Sequence, residues 1–421
     1  MKIAVIGSGI AGLTSAYLLS REHQVDVFEA NNYIGGHTAT VNVDDLAIDT
    51  GFIVFNDRNY PRFRHLMREI GVTWQDTEMS FSVQNPDTGL EYNGRNLATL
   101  FAQKRNLLRP SFYRLLNDIV RFNKLAKAEL VKKDTALDNK TLAQFVAQTG
   151  VGSLFMDNYL YPMCAAIWSV SLKDAANFPL GFFLRFFMNH GLLNINDRPQ
   201  WAVIKGGSKQ YIGPLTQSFA ERIHLNTPVL QVKRHLQGIT LTTSKGEQQF
   251  DQVIFACHSD QALAILSDPT DAEKNVLGAI GYQANDVVLH TDISLLPKNK
   301  AAWASWNYLL PLGEQKQHKQ SSVTYNMNIL QGLNSNKTYC VTLNNTDLIN
   351  PEHILRRFTY YHPMYSLPSM AARAQRQQIC GHNNSHFVGA YWYNGFHEDG
   401  VRSAFDVAAR FNLAPKVPEA D

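Results

Sequence analysis

Six residues near the amino terminus, Gly7-Ser8-Gly9-Ile10-Ala11-Gly12, carry the spacing G-x-G-x-x-G. That spacing suits the binding of a diphosphate. Gly7 makes a tight turn, Gly9 lets a pyrophosphate approach the backbone, and Gly12 lets a helix pack closely on a strand. Free N–H groups of the first helical turn, entered at Ile10 and Ala11, receive the phosphate charge together with the positive helix end. Glu29 follows Gly9 by about 20 residues, where an acid binds ribose hydroxyls. No arginine or lysine directly follows Glu29, which disfavours a 2′-phosphate and hence NADP. The chemistry indicated is dinucleotide binding.

These residues need a strand before them and a helix after. Lys2 to Ile6 is a short, nearly continuous apolar run, as expected of a central parallel strand buried on both faces. Leu13, Ala16, Tyr17 and Leu18 have the spacing of a helix with one buried face. Val25 to Phe28 reads as a second strand ending at Glu29. The order strand, glycines, helix, strand, acid makes the motif specific where the glycines alone are weak.

The next residues, Ala30-Asn31-Asn32-Tyr33-Ile34-Gly35-Gly36-His37-Thr38, place a short spacer and a glycine pair after the acid. Here the chain resembles the flavoprotein superfamily of amine oxidases, protoporphyrinogen oxidases and carotenoid desaturases, in which arginine usually follows the pair. Asp49-Thr50-Gly51 resembles the D-x-G element of the same superfamily. The resemblance implies FAD and a discontinuous domain. Lys205-Gly206-Gly207-Ser208, with Tyr211 and Leu215, looks like the helix entry that returns the chain to that domain. Ile223 to Val232 looks like a strand whose backbone near Val229 touches the adenine. Phe250 to Ala256 resembles the buried strand that completes the domain.

Near the carboxyl end, Val388-Gly389-Ala390 reads as a strand end, and Glu398 to Ala404 opens a helix continuing to Ala409. The resemblance directs this helix start, with Gly400 and Val401, at the flavin edge that becomes negative on reduction. Glu398 or Asp399 then either binds cofactor hydroxyls or simply favours the first helical turn. A bacterial subgroup of FAD-binding, amine-oxidase-like proteins associated with fatty-acyl modification is similar at Gly36 to Thr38, Trp303 to Tyr308 and Gly395 to Gly400.

The implied fold class is α/β: a discontinuous Rossmann-like FAD-binding domain with an inserted mixed α+β substrate domain. The expected division gives residues 1–55, 201–268 and 379–421 to the first and 56–200 and 269–378 to the second. Residues 56–200 read as mostly helical, at Pro61 to Ile70, Ser111 to Lys132, Leu142 to Gln148 and from Phe155 onward. The second insertion reads as mixed, with strands at Val287 to Thr291, Ser322 to Met327 and Thr338 to Leu343. The tail from Pro415 is expected to fray.

Reactive candidates are His37, in the usual arginine position, and His397, a proton acceptor just before the flavin-facing helix. Trp392 and Tyr393 resemble the aromatics that flank the substrate beside the flavin in amine oxidases. Each has packing as its alternative. Amine oxidases usually carry a lysine near a strand of the second insertion, and Ala284-Asn285-Asp286 has none. This favours an oxidoreductase that removes hydride from an apolar, lipid or fatty-acyl substrate. A flavin amine oxidase and a flavin-stabilised lipid-binding scaffold are the alternatives, and the electron acceptor stays open. The run Phe178 to Met188 reads as helical core, as the wall of an apolar tunnel, or as a surface dipping into a bilayer. Arg185 within it suits an interface or a carboxylate head group.

Composition fits these readings. At 421 residues, two domains are the natural expectation, and 45% hydrophobic with 18% charged residues suits a globular chain. A net charge of +3 with scattered basic residues, apart from pairs such as Lys132-Lys133 and Arg356-Arg357, gives no nucleic-acid partner. Cys164, Cys257, Cys340 and Cys380 lie far apart with no metal-binding spacing, so reduced thiols, no metal and a cytoplasmic location are expected. No signal peptide or 18-residue apolar span is evident, and peripheral membrane contact stays open.

Overall fold

The structure, a computed structural model, describes residues 1–132, 135–313 and 317–417. Lys133 and the last four residues of the tail lie outside the described residues. The chain divides into two compact units of interleaved segments: Met1–Gln75, Ile204–Tyr282 and Pro368–Asp421 form one, Asp76–Val203 and Gln283–Leu367 the other.

The first unit is built on a five-stranded parallel sheet. Its strands are β1 (Lys2–Ile6), β2 (Gln24–Phe28), β3 (Ile223–His224), β4 (Gln252–Phe255) and β5 (Ser385–Phe387), in the order β3-β2-β1-β4-β5. Central β1 pairs Ile3 with Val25 on one side and with Gln252 on the other. Ile3, Ala4 and Val5 are fully buried, which is why that run carries no polar alternation. Helix α1 (Ile10–Leu19) follows. It is buried on every side except at Tyr17, rather than on one face, because α3 (His397–Arg410) lies along it. Helix α2 (Pro61–Glu69) belongs to this unit too, burying Phe63, Leu66 and Met67.

The strand expected over Ile223 to Val232 is two strands. Asn226 takes a left-handed backbone (φ 48°) and Pro228 follows, so pairing stops after His224 and resumes at Val229 in an antiparallel meander, Val229–His235, Gly238–Thr243 and Gly246–Phe250.

In the second unit a seven-stranded sheet runs in the order Ile354–Pro363, Tyr282–His290, Cys340–Leu343, Val323–Asn326, Trp306–Leu309, Phe81–Asn85, Leu90–Asn93. The three strands expected in the second insertion are present. Residues 56–200 are mostly helical, but they also hold three strands that the sequence reading did not include, Trp74–Thr77, Phe81–Asn85 and Leu90–Asn93. Phe81 to Gln84 align at long range with Trp306 to Leu309, and Leu90–Asn93 pairs locally with Phe81–Asn85. Helices Pro110–Val131, Leu142–Thr149, Tyr161–Trp168 and Leu180–Asn189 complete the unit. The aromatic run of the last is core. Trp168, Phe178, Phe182, Phe186 and Tyr365 are buried against one another, with Trp168 and Phe178 ring centres 4.4 Å apart. Arg185 is exposed and pairs with Asp138.

Candidate cofactor site

The phosphate end of the site is set by backbone approach. The Gly7 N–H donates to the Phe28 carbonyl at 2.8 Å, and its φ of 107° is one that only glycine adopts freely. A Cβ on Gly12 would lie 2.0 Å from the Gly7 carbonyl oxygen, so α1 can start beside β1 only with glycine there. Gly9 differs. Its backbone is extended, and a Cβ would meet no atom within 4 Å. The first intrahelical bond is Leu13 N–H to Gly9 carbonyl, which leaves the amides of Ile10, Ala11 and Gly12 without helical partners. No acidic residue stands in that first turn to neutralise it. An open cradle beside uncompensated N–H groups has the form that would receive a diphosphate.

The glycine pair closes onto this cradle. Gly35 (φ 120°) bridges to Gly9 and donates its N–H to the Ser8 carbonyl at 3.0 Å. A Cβ on Gly36 would come within 3.2 Å of the Gly9 Cα.

Glu29 ends β2 in a buried position. Its carboxylate accepts the Ser8 N–H at 3.0 Å and hydroxyl at 2.6 Å on one oxygen, and the Asn31 backbone and side-chain N–H, both at 2.9 Å, on the other. This arrangement fixes the carboxylate beside the turn and fills its roughly four acceptor sites, so a ribose hydroxyl would take the place of one of these donors. The Thr227 N–H donates to the Glu29 carbonyl and Asn226 to the Asn31 carbonyl, both at 2.9 Å. That pairing brings the segment leading to Val229 alongside Glu29 and the exposed Ala30.

The middle of the site is held by buried polar clasps. Asp49 accepts Thr40 at 2.6 Å and the Ser208 N–H and hydroxyl at 2.9 Å, tying the D-x-G element to the Gly206-Gly207 turn. Burial raises its carboxyl to about 6. A Cβ on Gly51 would lie 2.0 Å from the His37 carbonyl oxygen, and Phe52 donates its N–H to that oxygen at 2.8 Å. The Thr38 hydroxyl pairs with the Tyr211 hydroxyl, and both lie 3.1 Å from His397 Nε2. The His397 ring stacks on Phe52 at 3.6 Å, and its pKa is driven well below the usual histidine range, first by burial and then by nearby His37. His397 is therefore a neutral clasp between Thr38, Tyr211 and the start of α3.

At that helix start, a Cβ on Gly400 would touch Ile10 Cγ2 at 2.8 Å, so α3 meets α1 at the phosphate turn, and Val401 is fully buried. The two acids are committed to backbone. Glu398 accepts the N–H groups of Arg62 at 3.2 Å and Phe63 at 2.8 Å, at the start of α2. Asp399 accepts the Phe396 N–H at 2.9 Å, capping its own helix. The geometry thus supports the helix-capping reading of both carboxylates. Trp392 and Tyr393 part company. Trp392 is buried and its indole N–H has no hydrogen-bond partner among the described residues. Tyr393 donates its hydroxyl to Asp406, which also pairs with Arg376, and Arg402 lies 3.9 Å over its ring. Sequence reading missed Ser8, Phe52 and Arg376; only Ser8, inside the glycine motif, sits where a local signal could have singled it out.

Among the described residues, no cluster of three His, Cys, Asp or Glu could hold a metal ion, all four cysteines are free, and no helix is long and apolar enough to cross a membrane.

A family model described as flavin containing amine oxidoreductase matches residues 10–412. The chain belongs to that family. FAD is the family's cofactor, and the cradle fits it: Gly7 to Gly12 would hold the diphosphate, Glu29 the ribose, and the Val229 segment the adenine. Bound FAD accepts a hydride equivalent from carbon. This family member is 25% identical over 283 residues to the flavin-containing monoamine oxidase AofH of Mycobacterium tuberculosis, a match covering 63% of the chain and 59% of that relative. It is 34% identical over 92 residues to a 1-hydroxycarotenoid 3,4-desaturase of Flavobacterium sp., covering 22% and 18% of the two chains. Its fold is that of a fatty acid isomerase from P. acnes (TM-score 0.70, 15% identity, 97% and 98% covered) and of cyclohexylamine oxidase from Brevibacterium oxydans (0.69, 15%, 98% of each). The family thus sets an FAD-dependent oxidoreductase framework, with relatives among both amine oxidases and desaturases.

Proposed function

We propose that this protein is an FAD-dependent oxidoreductase that removes a hydride equivalent from a C–H bond of an apolar, lipid or fatty-acyl substrate. The observation that carries this reading is the entry of the strand Tyr282–His290. Where amine oxidases of the family usually place a lysine, Asn285 is fully buried and hydrogen-bonded to Gln283 and Asn344. The neighbouring Asp286 is bonded to Asn344 and Thr346. Neutral His397 adds support, since a hydride removal that relies on orientation and desolvation needs no charged base. The fatty acid isomerase and carotenoid desaturase among the similar proteins agree with an apolar substrate.

The test is anaerobic mixing of the yellow protein with fatty-acyl lipids, with dithionite as the control that the flavin is reducible. Bleaching of the oxidised flavin band by one lipid class is expected. A flavin that dithionite reduces and no lipid does would count against the reading. The amine-oxidase alternative draws on the family match and AofH; peroxide release with mono- or polyamines would establish it instead.

A further inference from the structure

In the second unit, the helix Pro110–Val131 buries Phe112, Leu115, Phe122 and Ala126. Its other face leaves Tyr113, Asn117, Val120, Lys124, Ala128 and Val131 exposed, at successive steps of three and four. The turn before it, Lys104–Leu108, presents Leu107 at 49% and Leu108 at 88% exposure. The Tyr113 hydroxyl donates to the Leu107 carbonyl at 2.9 Å, fastening that tip to the helix. A shallow groove of about 540 Å³ lies among Leu107, Leu108, Pro110, Tyr113, Arg114 and Asn117.

Charge singles out the same segment. Residues 95–132 hold nine lysines and arginines against two acids, although the whole chain carries only +3. Several cations are occupied: Arg95 pairs with Glu78, Lys132 with Glu129, and Lys127 with Asn194. The side chains of Lys104, Arg114 and Lys124 are exposed and have no hydrogen-bond or ion-pair partner among the described residues. These charges escape a search for basic runs because they are spread at helical intervals. A projecting pair of leucines, an amphipathic helix with a tyrosine on its open face, and unneutralised cations around them match the interfacial region of a bilayer.

We propose that this face docks the protein on an anionic phospholipid bilayer. Leu107 and Leu108 enter the acyl boundary, and Lys104, Arg114 and Lys124 meet headgroup phosphates. The proposal goes beyond the catalytic reading and needs no turnover, so either can fail alone.

The test is co-sedimentation of the full flavin-bound chain with vesicles of phosphatidylglycerol and phosphatidylcholine in equal parts, against phosphatidylcholine alone. Binding at least about tenfold stronger to the anionic vesicles is expected, released by about 0.5 M salt. Leu107→Asp with Leu108→Asp, and separately Arg114→Glu with Lys124→Glu, should each lose binding while keeping the flavin spectrum; the charge pair guards against a folding defect in the first. The proposal is overturned if neither vesicle binds, if neutral vesicles bind equally well, or if both variants sediment like the parent. Light scattering that shows two copies joined through this face, with no vesicle binding, would overturn it in favour of self-association.

Discussion

The carboxylate of Glu398, in the first turn of α3, accepts the backbone N–H of Phe63, in the first turn of α2, at 2.8 Å. One acidic side chain therefore serves two helix starts. Its oxygens satisfy amides that α2 leaves open, beside the positive ends of both helices.

That arrangement has a pH signature. Burial raises Glu398 and Asp399 each to about 7. Unfolded carboxyls ionise near pH 4, so between there and about 7 the folded protein keeps protons that the unfolded chain has lost. Stability from these groups is full below the unfolded value and falls as pH rises. The melting temperature of flavin-free protein should therefore drop on going from about pH 5 to 8, and Glu398→Gln should flatten the drop. Calorimetry across that range checks this; equal slopes for parent and variant would refute it.

His397 works in the opposite direction. Its folded pKa lies well below the unfolded value of about 6.5, so its contribution is complete above that value and is lost as pH falls. The imidazole should remain neutral by NMR at about pH 5. Thr38→Val removes one of its two hydroxyl partners and leaves Tyr211 short of a bond, which should cost about 1–3 kcal/mol in chemical denaturation. An imidazole that titrates near 6.5 would remove the argument.

Gly9 and Gly12 should separate folding from cofactor retention. A methyl at Gly9 meets nothing in the protein, so Gly9→Ala should fold with near-parental melting yet purify colourless or with much less flavin, because the methyl occupies the diphosphate approach. A methyl at Gly12 collides with the Gly7 carbonyl, so Gly12→Ala should lose about 1–3 kcal/mol or fail to fold. Circular dichroism with flavin absorbance reads both. A yellow Gly9→Ala protein with full flavin content would show that the phosphates lie elsewhere.

Local signals were legible in the sequence and distant ones were not. The β1 run, the glycine turn, α1 and Glu29 occur within 29 residues and declare one another by spacing. The α3 start was equally plain, because a glycine and two acids open an amphipathic stretch. The strand at 81–85 was hidden because one of its partners across the sheet lies more than 200 residues away, and the edge strand at 90–93 pairs only with it. The same distance hid the role of Glu398, whose capping target is 335 positions earlier. The clasp of Thr38, Tyr211 and His397 draws on three segments, and no window of sequence contains it.

Strand β1 is made first but is flanked by β4, about 250 residues later, and α1 is covered by α3, which ends at Arg410. At a ribosomal rate of 5–20 residues per second, roughly 20–80 s separate the first glycine from its last neighbour. During that interval the nascent amino-terminal segment shows an apolar, edge-exposed template to solvent. Completion of the α1–α3 contact at the phosphate turn must therefore wait until α3 has been made.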